Sequence, residues 1–528
     1  MKKEILSILF ALVLVMSFSL VMAVPAGAAA SEVWVATTGD DNNAGTLETP
    51  FATIQKGINT VAEGGTVNVV AGIYYPTSTI VIDKDGLILQ GPQADVDPRP
   101  TYSNARTAGS PSEAAIDGDG TLKNIIRIFA DDVVINGLEI RSGTGDLVFS
   151  GDLPQARYIN RPSVKYNIIH DSSKDEGVQL KGAVEGVYEY NHVFDTGGDG
   201  LNFAEDGNKP TRDCVIRCNE IHDIGWYTGL GVGPSHGGIF VYNDGYGDLD
   251  VEIRENLIYH INTAGIKFGD YDWAAKGGKI IDNIIRDTTG VGVRVRASYI
   301  TVEGNEISQT GGIIVESKVD QVDTVLIQFN SIQGNTFGVK NTATATVDAT
   351  YNWWGDASGP THSSNPEGAG DAVSDNVLFK PWLEAPYQPT TSMSSFTIDH
   401  AKVDFKKKAD DDKVRVQGKL ELDLVNGNGV DISEDVIVTV GPLSETITME
   451  QKGKKGDRWH YQRLKGDEGN IKHMTINWKN GKFDIRMDKA ELTGITNPVT
   501  ISIQIGDDVG EEPITMREKK HHWDYKAK

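Results

Sequence analysis

Short segments of alternating apolar and polar residues run through most of the chain. In Val325–Phe329 and Ile300–Gly304 every second residue is apolar, which is the spacing of a β-strand with one buried face. An asparagine follows each such segment, and an apolar residue stands two places after it. The eight asparagines are Asn167, Asn191, Asn219, Asn256, Asn283, Asn305, Asn330 and Asn352. Their separations of 22 to 37 residues indicate one structural unit repeated along the chain.

A second short strand that opens with glycine follows most of these asparagines. The opening residues are Gly177, Gly200, Gly238, Gly265, Gly292 and Gly312. Because no helical pattern of about 10 residues separates the strands, each repeat predicts one coil of a parallel β-helix. We interpret the asparagines as a structural column whose amides bond to the coils on both sides. Asn136, in Asn136-Gly-Leu, is predicted to be a ninth member at its N-terminal end.

The first thirty residues have the pattern of an export signal. Lys2 and Lys3 precede an apolar run, and small residues suited to cleavage follow it, so the mature chain is expected to begin near Ala29 or Ser31. No later segment has the roughly 20 apolar residues of a spanning helix. The pattern therefore predicts a secreted or cell-surface protein without a transmembrane segment in the mature chain.

The two ends of the repeat region differ from its centre. Residues 53–62 have apolar side chains at helical spacing and predict a helix that caps the first coil. At the other end, proline, serine and threonine in residues 385–395 indicate a linker. Residues 396–528 alternate apolar and polar positions and contain the hairpin signal Asn480-Gly481, which predicts a small antiparallel β-sandwich. Residues 31–384 would form the β-helix, and residues 1–30 the signal.

Both ends of the β-helix region carry motifs with a family resemblance. Residues 35–55 and 65–74 resemble the opening of secreted right-handed parallel β-helix proteins of the pectate-lyase-like group, and the resemblance covers residues 32–384. That group includes polysaccharide lyases, glycoside hydrolases, epimerases and surface proteins without known catalysis. Residues 351–360 and 370–383 resemble the closing coil of many surface β-helix proteins, where Trp353, Trp354 and Trp382 would close the core.

The glycine-initiated strands predict a row of outward side chains. In each strand the residues one and three places after the glycine point inward, and the residue two places after it points outward. The outward row is Gln179, Asn202, Phe240, Lys267, Arg294 and Ile314, and a second row is Lys181, Ala204, Tyr242, Gly269 and Arg296. The insertions at residues 204–212, 225–237, 242–249 and 269–278 flank this sheet and predict a groove. The resemblance implies that the same sheet carries the active cleft.

A lysine and an arginine on adjacent coils suit the β-elimination of a uronate-containing polysaccharide. Coils lie about 4.8 Å apart, so Lys267 and Arg294 should be neighbours. Elimination needs a cation on the uronate carboxylate and a base for the adjacent proton. We predict Lys267 as the base, activated by the neighbouring positive charge, and Arg294 as the carboxylate clamp. His236, Tyr242, Arg296 and Lys181 are predicted substrate-binding residues. The hypothesis requires both Lys267 and Arg294 to emerge exposed on one wall.

Acidic residues gather in the same loops. Asp199, Asp244 and Asp270 are candidate ligands for calcium, which prefers several oxygen ligands on loops, although turn positions explain them equally well. The same two interpretations apply to the aspartates four places after an asparagine of the column. These are Asp171, Asp195, Asp223 and Asp287.

The formal net charge of −24 argues against nucleic acid as a partner. Two functions stay open. The first is a carbohydrate-active enzyme, lyase-like in chemistry, because the paired carboxylates of an inverting hydrolase are not recognisable before Ser235-His-Gly. The second is a non-catalytic cell-surface or cell-wall protein in which the β-helix is a spacer and the sandwich an attachment module. In both cases we expect a monomer whose partner is a polysaccharide or a wall component.

Overall fold

The predicted all-β architecture, a right-handed parallel β-helix followed by an antiparallel β-sandwich, is confirmed. Among the described residues, no helix has the length and hydrophobicity needed to cross a membrane. The computed structural model describes residues 29–527 except 104, 152–156, 208, 227–235, 243–247, 270–274, 317–323, 388–390, 393–394, 407–411, 422–434, 453–457, 465–468, 478–479, 491, 493–494, 506–507 and 520–521. The predicted signal therefore lies almost wholly outside the described residues.

The β-helix consists of three parallel sheets, here named A, B and C, and each coil adds one strand to each sheet over most of the length. Sheet A contains Glu32–Val35, Thr66–Val69, Ile88–Gln90, Val134–Asn136, Ser163–Lys165, Val187–Glu189, Val215–Arg217, Asp248–Arg254, Ala275–Ile281, Ala297–Glu303, Val325–Gln328, Val347–Asp348 and Val377–Leu378. Sheet B contains Gly72–Tyr74, Ala114–Asp117, Glu139–Gly143, Ile168–Ser172, His192–Thr196, Glu220–Ile224, Leu257–Ile261, Ile284–Thr288, Glu306–Ser308 and Ser331–Gln333. Sheet C contains Ile80–Ile82, Ile126–Ile128, Val148–Ser150, Val178–Lys181, Leu201–Ala204, Gly237–Val241, Ala264–Phe268, Val293–Val295, Ile313–Val315 and Val339–Asn341. A further short pair is Ile159–Asn160 with Ala183–Val184.

A short helix covers the first coil, as predicted. It spans Ile54–Thr60, and the side chain of Thr53 caps it by accepting a hydrogen bond from the backbone N–H of Lys56. Ile54 and Ile58 are buried in the core of the β-helix. The helix therefore shields apolar side chains that the first coil would otherwise expose.

Each coil bends at backbone positions with positive φ. Around Asn219 these are Asp213, Cys218 and Asp223, with φ of 56°, 53° and 56°. The same three offsets, six and one places before the asparagine and four places after it, recur in the neighbouring coils. Aspartate tolerates this left-handed conformation better than most residues. The aspartates four places after the column are therefore turn residues, and within the described residues none belongs to a group that could hold a metal ion.

The asparagine column forms a continuous ladder of hydrogen bonds inside the turn between sheets A and B. The Oδ1 of Asn256 accepts from the N–H and the side-chain amide of Asn219, at 3.0 and 2.9 Å. Its own amide donates to the carbonyl of Ile216 at 2.9 Å and to Asn283 at 2.9 Å. Equivalent backbone-to-side-chain bonds connect every coil from Asn167 to Asn352.

Asn136 is not a ninth member of this ladder, so that prediction is wrong. It pairs with Lys165 in sheet A, two places before Asn167. Leu138 occupies the ladder position, and its N–H donates to Asn167 Oδ1 at 3.0 Å. The amide of Asn136 bonds to Asp95 in a side loop instead.

The C-terminal end of the core is closed by tryptophan, as the closing-coil motif predicts. Trp354 is fully buried, and Trp382 is partly buried against the same core. Trp353 faces outward and donates from Nε1 to Gln333 at 3.1 Å, so it does not take part in the closure.

The chain divides into two compact units, Met1–Tyr387 and Gln388–Lys528. The second unit is a sandwich of two sheets around its own apolar core. The five-stranded sheet contains Thr391–Ser392, Asp508–Ile514, Val499–Ile505, Asp435–Val440 and Leu443–Thr448. The eight-stranded sheet contains Glu450–Lys452, Arg458–Gln462, Ile471–Asn477, Lys482–Ala490, Asp412–Glu421, Ser395–Asp404, His522–Lys526 and Arg517–Lys519.

Candidate functional site

Sheet C presents the predicted row of outward side chains in the predicted register. Lys267 pairs directly with Phe240 on one side and with Arg294 on the other. The inward neighbours Ile266 and Phe268 are fully buried in the core. The complete row is Val81, Arg127, Phe149, Gln179, Asn202, Phe240, Lys267, Arg294, Ile314 and Lys340.

Lys267 is not exposed on the groove wall, so this part of the prediction is wrong. Its exposed fraction is 3%. The side chain bends back over the preceding coil, where Nζ lies 3.7 Å from the centre of the Phe240 ring. Its stem passes close to Gly237, where an added Cβ would be in ordinary van der Waals contact with Lys267 Cδ at 3.5 Å. The face of the Phe240 ring and the nearby carboxylate of Asp199 both stabilise a positive charge. These surroundings therefore favour the ammonium form of Lys267 over the neutral amine that a base requires.

Arg294 bends the other way, toward the following coil. Its Nε lies 3.7 Å from Glu316, and its side chain is 25% exposed. Arg296 makes the closer pair, with Nε donating to Glu316 at 2.8 Å. Lys267 and Arg294 are neighbours in the backbone register, yet their charges act on different carboxylates: Lys267 on Asp199 and Arg294 on Glu316. Arg296 is buried in its ion pair, so the predicted substrate-binding role is not supported for that residue.

Asp199 is the residue that connects the rest of the site. It is buried, and its Oδ1 accepts a hydrogen bond from the N–H of Gly237. Asn202 donates to its Oδ2 at 2.6 Å, and His236 Nδ1 lies 4.0 Å from Oδ1. Burial raises the pKa of Asp199, and the charges of His236 and Lys267 oppose this increase. A buried carboxylate that faces an imidazole and an ammonium group is an arrangement able to hold and move a proton.

Two acidic residues that form a row with Asp199, namely Asp146 and Glu176, were missed by sequence reasoning. Glu176 lies close enough to Asp199 and His236 for one ligand atom from each to fall within 4.8 Å of the others. Burial raises the pKa of Glu176 well above its ordinary value, and a hydrogen bond with Asp146 and the charge of Asp199 raise it further. Glu176 is therefore protonated at neutral pH. Asp146, Glu176 and Asp199 each stand three places before an outward residue of sheet C, so their shared offset was readable in the sequence.

The same cluster has the donor set for a divalent cation. Glu176 and Asp199 offer carboxylate oxygens and His236 offers an imidazole nitrogen. Asn202 is buried and its Oδ1 has no hydrogen-bond partner, which leaves one more oxygen available beside Asp199. Oxygen ligands suit calcium, whereas the imidazole suits transition metals. Of the predicted calcium ligands, Asp199 belongs to this cluster, whereas Asp244 and Asp270 lie outside the described residues.

The remaining predicted substrate-binding residues lie along the same face. His236 has a side chain that is 24% exposed. Tyr242 packs its ring edge against Phe240, with centroids 5.6 Å apart. Lys181 lies at the N-terminal side of the groove, with Nζ 5.4 Å from the centre of the Phe149 ring. The strands that carry Asn202, Phe240 and Lys267 end at Ala204, Val241 and Phe268, where three of the four predicted insertions begin.

The fold and the site define a right-handed parallel β-helix protein with a cluster of charged side chains on one sheet. A family model described as "Right handed beta helix region" matches residues 119–272. No curated protein sequence matches the chain.

Several solved structures resemble the chain. The crystal structure of pectate lyase Pel9A has 13% identity and a TM-score of 0.47, and the match covers 69% of this chain and 93% of that one. The A-module of mannuronan C-5 epimerase AlgE4 from Azotobacter vinelandii has 15% identity and a TM-score of 0.43, and the match covers 61% of this chain and 91% of that one. XylC in complex with xylose has 12% identity and a TM-score of 0.43, and the match covers 94% of this chain and 100% of that one. At these identities the similarity concerns the fold.

Proposed function

We propose that this protein binds and cleaves an acidic, uronate-containing polysaccharide in the groove over sheet C. The supporting observation is the cluster of Asp199, His236, Lys267 and Glu176 on the face flanked by the long insertions. Its positive charges stand in a strongly acidic chain, so they offer a local site for a carboxylate-bearing polymer. Its carboxylates and imidazole offer proton transfer.

The favoured chemistry is still β-elimination, with the residue roles revised. Elimination breaks the C–H bond beside the uronate carboxylate and the C–O bond to the leaving sugar, and it forms a carbon–carbon double bond. Arg294 would neutralise the uronate carboxylate, and Lys267 would supply positive charge beneath the developing anion. His236, with Asp199 behind it, would take the proton. Glu176, which is protonated at neutral pH, would return a proton to the leaving oxygen.

The proposal also includes calcium, which would bind to the same side-chain oxygens as an alternative to their role in proton transfer. Glu176, Asp199 and Asn202 would hold the ion, which would supply additional positive charge to the uronate carboxylate. A calcium-bound Glu176 is ionised and cannot be the acid. Activity that survives a chelator such as EDTA would therefore favour the acid role of Glu176, whereas its loss would favour the metal-binding role.

The test is incubation of the purified protein with polygalacturonate, alginate and chondroitin. Elimination yields new reducing ends together with the ultraviolet absorbance of an unsaturated uronate. Hydrolysis, which the carboxylate pair Glu176 and Asp199 would support, yields reducing ends without that absorbance. Absence of both signals on every polymer would remove the enzymatic proposal.

Variants assign the roles. We expect His236→Ala to lower kcat at least about 100-fold, the usual contribution of a general base, and Arg294→Ala to lower kcat/KM. Lys340→Ala is the matched control, because Lys340 is an exposed lysine of the same outward row, three coils from Lys267. If Lys267→Ala abolishes turnover while His236→Ala retains it, the base is Lys267, as the sequence predicted.

A non-catalytic surface protein is the second candidate. The burial of Lys267 and the pairing of Arg294 with Glu316 favour it, since neither basic side chain is wholly available to a ligand. In either case we propose that the protein acts outside the cell, as its predicted signal indicates.

A further inference from the structure

The outer face of the eight-stranded sheet in the second unit is strongly basic. Five neighbouring strands, which begin at Ser395, Asp412, Lys482, Ile471 and Arg458, bury alternate residues in the core of the sandwich. The other residues point outward and form three rows across the strands. The rows are Thr397, Lys419, Lys482, Asn477 and Arg458; His400, Gln417, Asp484, Thr475 and His460; and Lys402, Arg415, Arg486, His473 and Gln462.

Positive charge dominates these fifteen positions, which include three histidines and one acidic residue. The six cations, here named the basic face, are Lys402, Arg415, Lys419, Arg458, Lys482 and Arg486. Asp484, the acidic residue, is shared by Arg415 and Arg486, at 3.1 and 2.9 Å. Within the described part of the chain, Lys419, Lys482 and Arg458 are exposed and belong to no ion pair, so three charges remain available.

This concentration of charge is specific to one sheet. Residues 388–528 contain 23 basic and 24 acidic residues, a net charge of −1, whereas residues 1–387 carry −23. The outer face of the five-stranded sheet is nearly neutral by comparison, because serine, threonine and glutamine fill most of it, as at Thr439, Ser502 and Gln504. The basic face is therefore not the surface of a uniformly basic domain.

A depression of about 380 Å³ lies within the basic face, and its lining includes Lys482, Arg458, Asp484, Gln417 and His400. Gly418 contributes no side chain, since an added Cβ would lie 2.1 Å from the carbonyl of Thr397. The Nδ1 atom of His400 is buried there without a hydrogen-bond partner. The depression therefore combines the positive charges of Lys482 and Arg458 with the carboxylates of Asp399 and Asp484 and the amide of Gln417, a mixture of groups that suits a ligand carrying both carboxylates and hydroxyls.

We infer that the basic face binds an extended polyuronate chain that runs across the strands. The charges of one row are carried on strands about 4.8 Å apart, which is close to the length of one pyranose residue in an extended polysaccharide. Uronate carboxylates would then meet Lys419 and Lys482 on adjacent strands and Arg458 two strands beyond Lys482, with hydroxyls near Asn477, Gln417 and His400. The inference rests on the proposed function only for the choice of a uronate polymer, and it assigns the second unit the task of holding the polymer that the groove cleaves.

The experiment compares the full-length protein with Lys419→Glu/Lys482→Glu on beads carrying polygalacturonate or alginate, over a series of NaCl concentrations. The double variant is expected to lose at least about tenfold in affinity, and its log–log salt dependence should be shallower by about two because two fewer counterions are released. Lys279→Glu is the matched control, since Lys279 is an exposed strand lysine of sheet A, and it should bind like the unmodified protein. Thermal unfolding checks that each variant is folded. If Lys419→Glu/Lys482→Glu is not folded, the variant Lys419→Gln/Lys482→Gln takes its place.

Two readouts separate this inference from the groove proposal. Cleavage of a short soluble oligouronate should be unchanged in the double variant, because only the groove acts on it. A protein that cleaves nothing but is retained on the beads through Lys419 and Lys482 would contradict the groove proposal and support this one. Unchanged retention of a folded double variant would overturn the inference. Binding of double-stranded DNA through the same residues, without binding of polyuronate, would overturn it as well.

Discussion

At the scale of single residues, the sequence predicted positions on sheet C better than it predicted side-chain contacts. Alternation along a strand determines which residues point outward, so the row through Lys267 and Arg294 was correct. It does not determine where a long side chain bends. Lys267 and Arg294 are one coil apart, yet one contacts Phe240 and the other approaches Glu316. Those contacts are made with side chains of other coils, Phe240 on one side and Glu316 on the other, which no local pattern combines.

Removing the positive charge of Lys267 should destabilise the first unit. Lys267→Met leaves the buried Asp199 carboxylate without a nearby ammonium group, which is expected to cost about 3 kcal/mol of unfolding free energy. Urea unfolding of the variant would measure the loss. The double variant Lys267→Met/Asp199→Asn should recover at least about 1 kcal/mol, because the two residues interact. Strictly additive losses would contradict the interaction.

His192 should make the stability of the first unit depend on pH. It lies in a ring stack on sheet B, with Nε2 2.8 Å from Nε2 of His222. Burial, together with the charges of His222 and His170, lowers its pKa to about 3. An unfolded histidine titrates near 6.5, so between these values the unfolded state binds more protons than the folded state. The free energy of unfolding should therefore fall by about 1.4 kcal/mol per pH unit below pH 6.5.

Urea unfolding at pH 7.5, 6, 5 and 4 would measure this dependence. His192→Phe should flatten it, since the variant has no imidazole to titrate at that position. His362→Gln, at a histidine in the closing coil, should leave the slope unchanged. An equal slope in the unmodified protein and in His192→Phe would show that other groups account for the acid sensitivity.

At the scale of elements, the repeated asparagines identified the coil, its corners and its stacking direction. The interpretation failed at Asn136, because Asn136-Gly-Leu has the local pattern of the ladder but lies two places out of register. Register along a stack is set by the coil that follows, which here places Asn167 beside Leu138. The register of a repeat at the end of the column can therefore be assigned only from the contacts with the repeat that follows it.

Loss of a ladder asparagine should cost more than loss of Asn136. Asn256→Ala removes bonds to both adjacent coils and leaves the backbone N–H of Asn219 and the carbonyl of Ile216 without that partner. We expect a loss of about 3 kcal/mol or more in unfolding free energy, because buried polar groups become unsatisfied. Asn136→Ala is the matched control, since among the described residues the Asn136 side chain bonds only to the loop residue Asp95. Its loss is expected to cost about 1 kcal/mol of unfolding free energy. Urea unfolding compares them, and equal losses would contradict a special role for the ladder.

At the scale of the whole molecule, the chain consists of two units with separate cores. The change from short glycine-initiated strands to long alternating strands predicted the second unit, and the structure divides the chain after Tyr387. The basic face was not predicted. Its six cations lie on four strands that are not all neighbours in sequence, so their proximity follows only from the strand order of the sheet.

Separate cores predict independent folding. The buried core of the first unit ends at Phe379 and that of the second begins at Ile398. A fragment of residues 29–387 should therefore unfold cooperatively in urea, with the same midpoint as the corresponding transition of the full-length protein. Circular dichroism follows the transition. A fragment that is unfolded, or that has a clearly lower midpoint, would show that the second unit stabilises the first.

The corners of the coils have a consequence for how the protein accommodates change. In the coils from Asp132 to Gly334 the three left-handed positions are five residues apart, as in Asp213, Cys218 and Asp223. The distance from the last corner of one coil to the first corner of the next is not fixed. It is 27 residues from Asp223 to Asp250 but 12 from Asp287 to Tyr299. In these coils two sides of the β-helix therefore have a constant chain length, and the variation in length lies on the third side, where new specificities can be built without disturbing the other two.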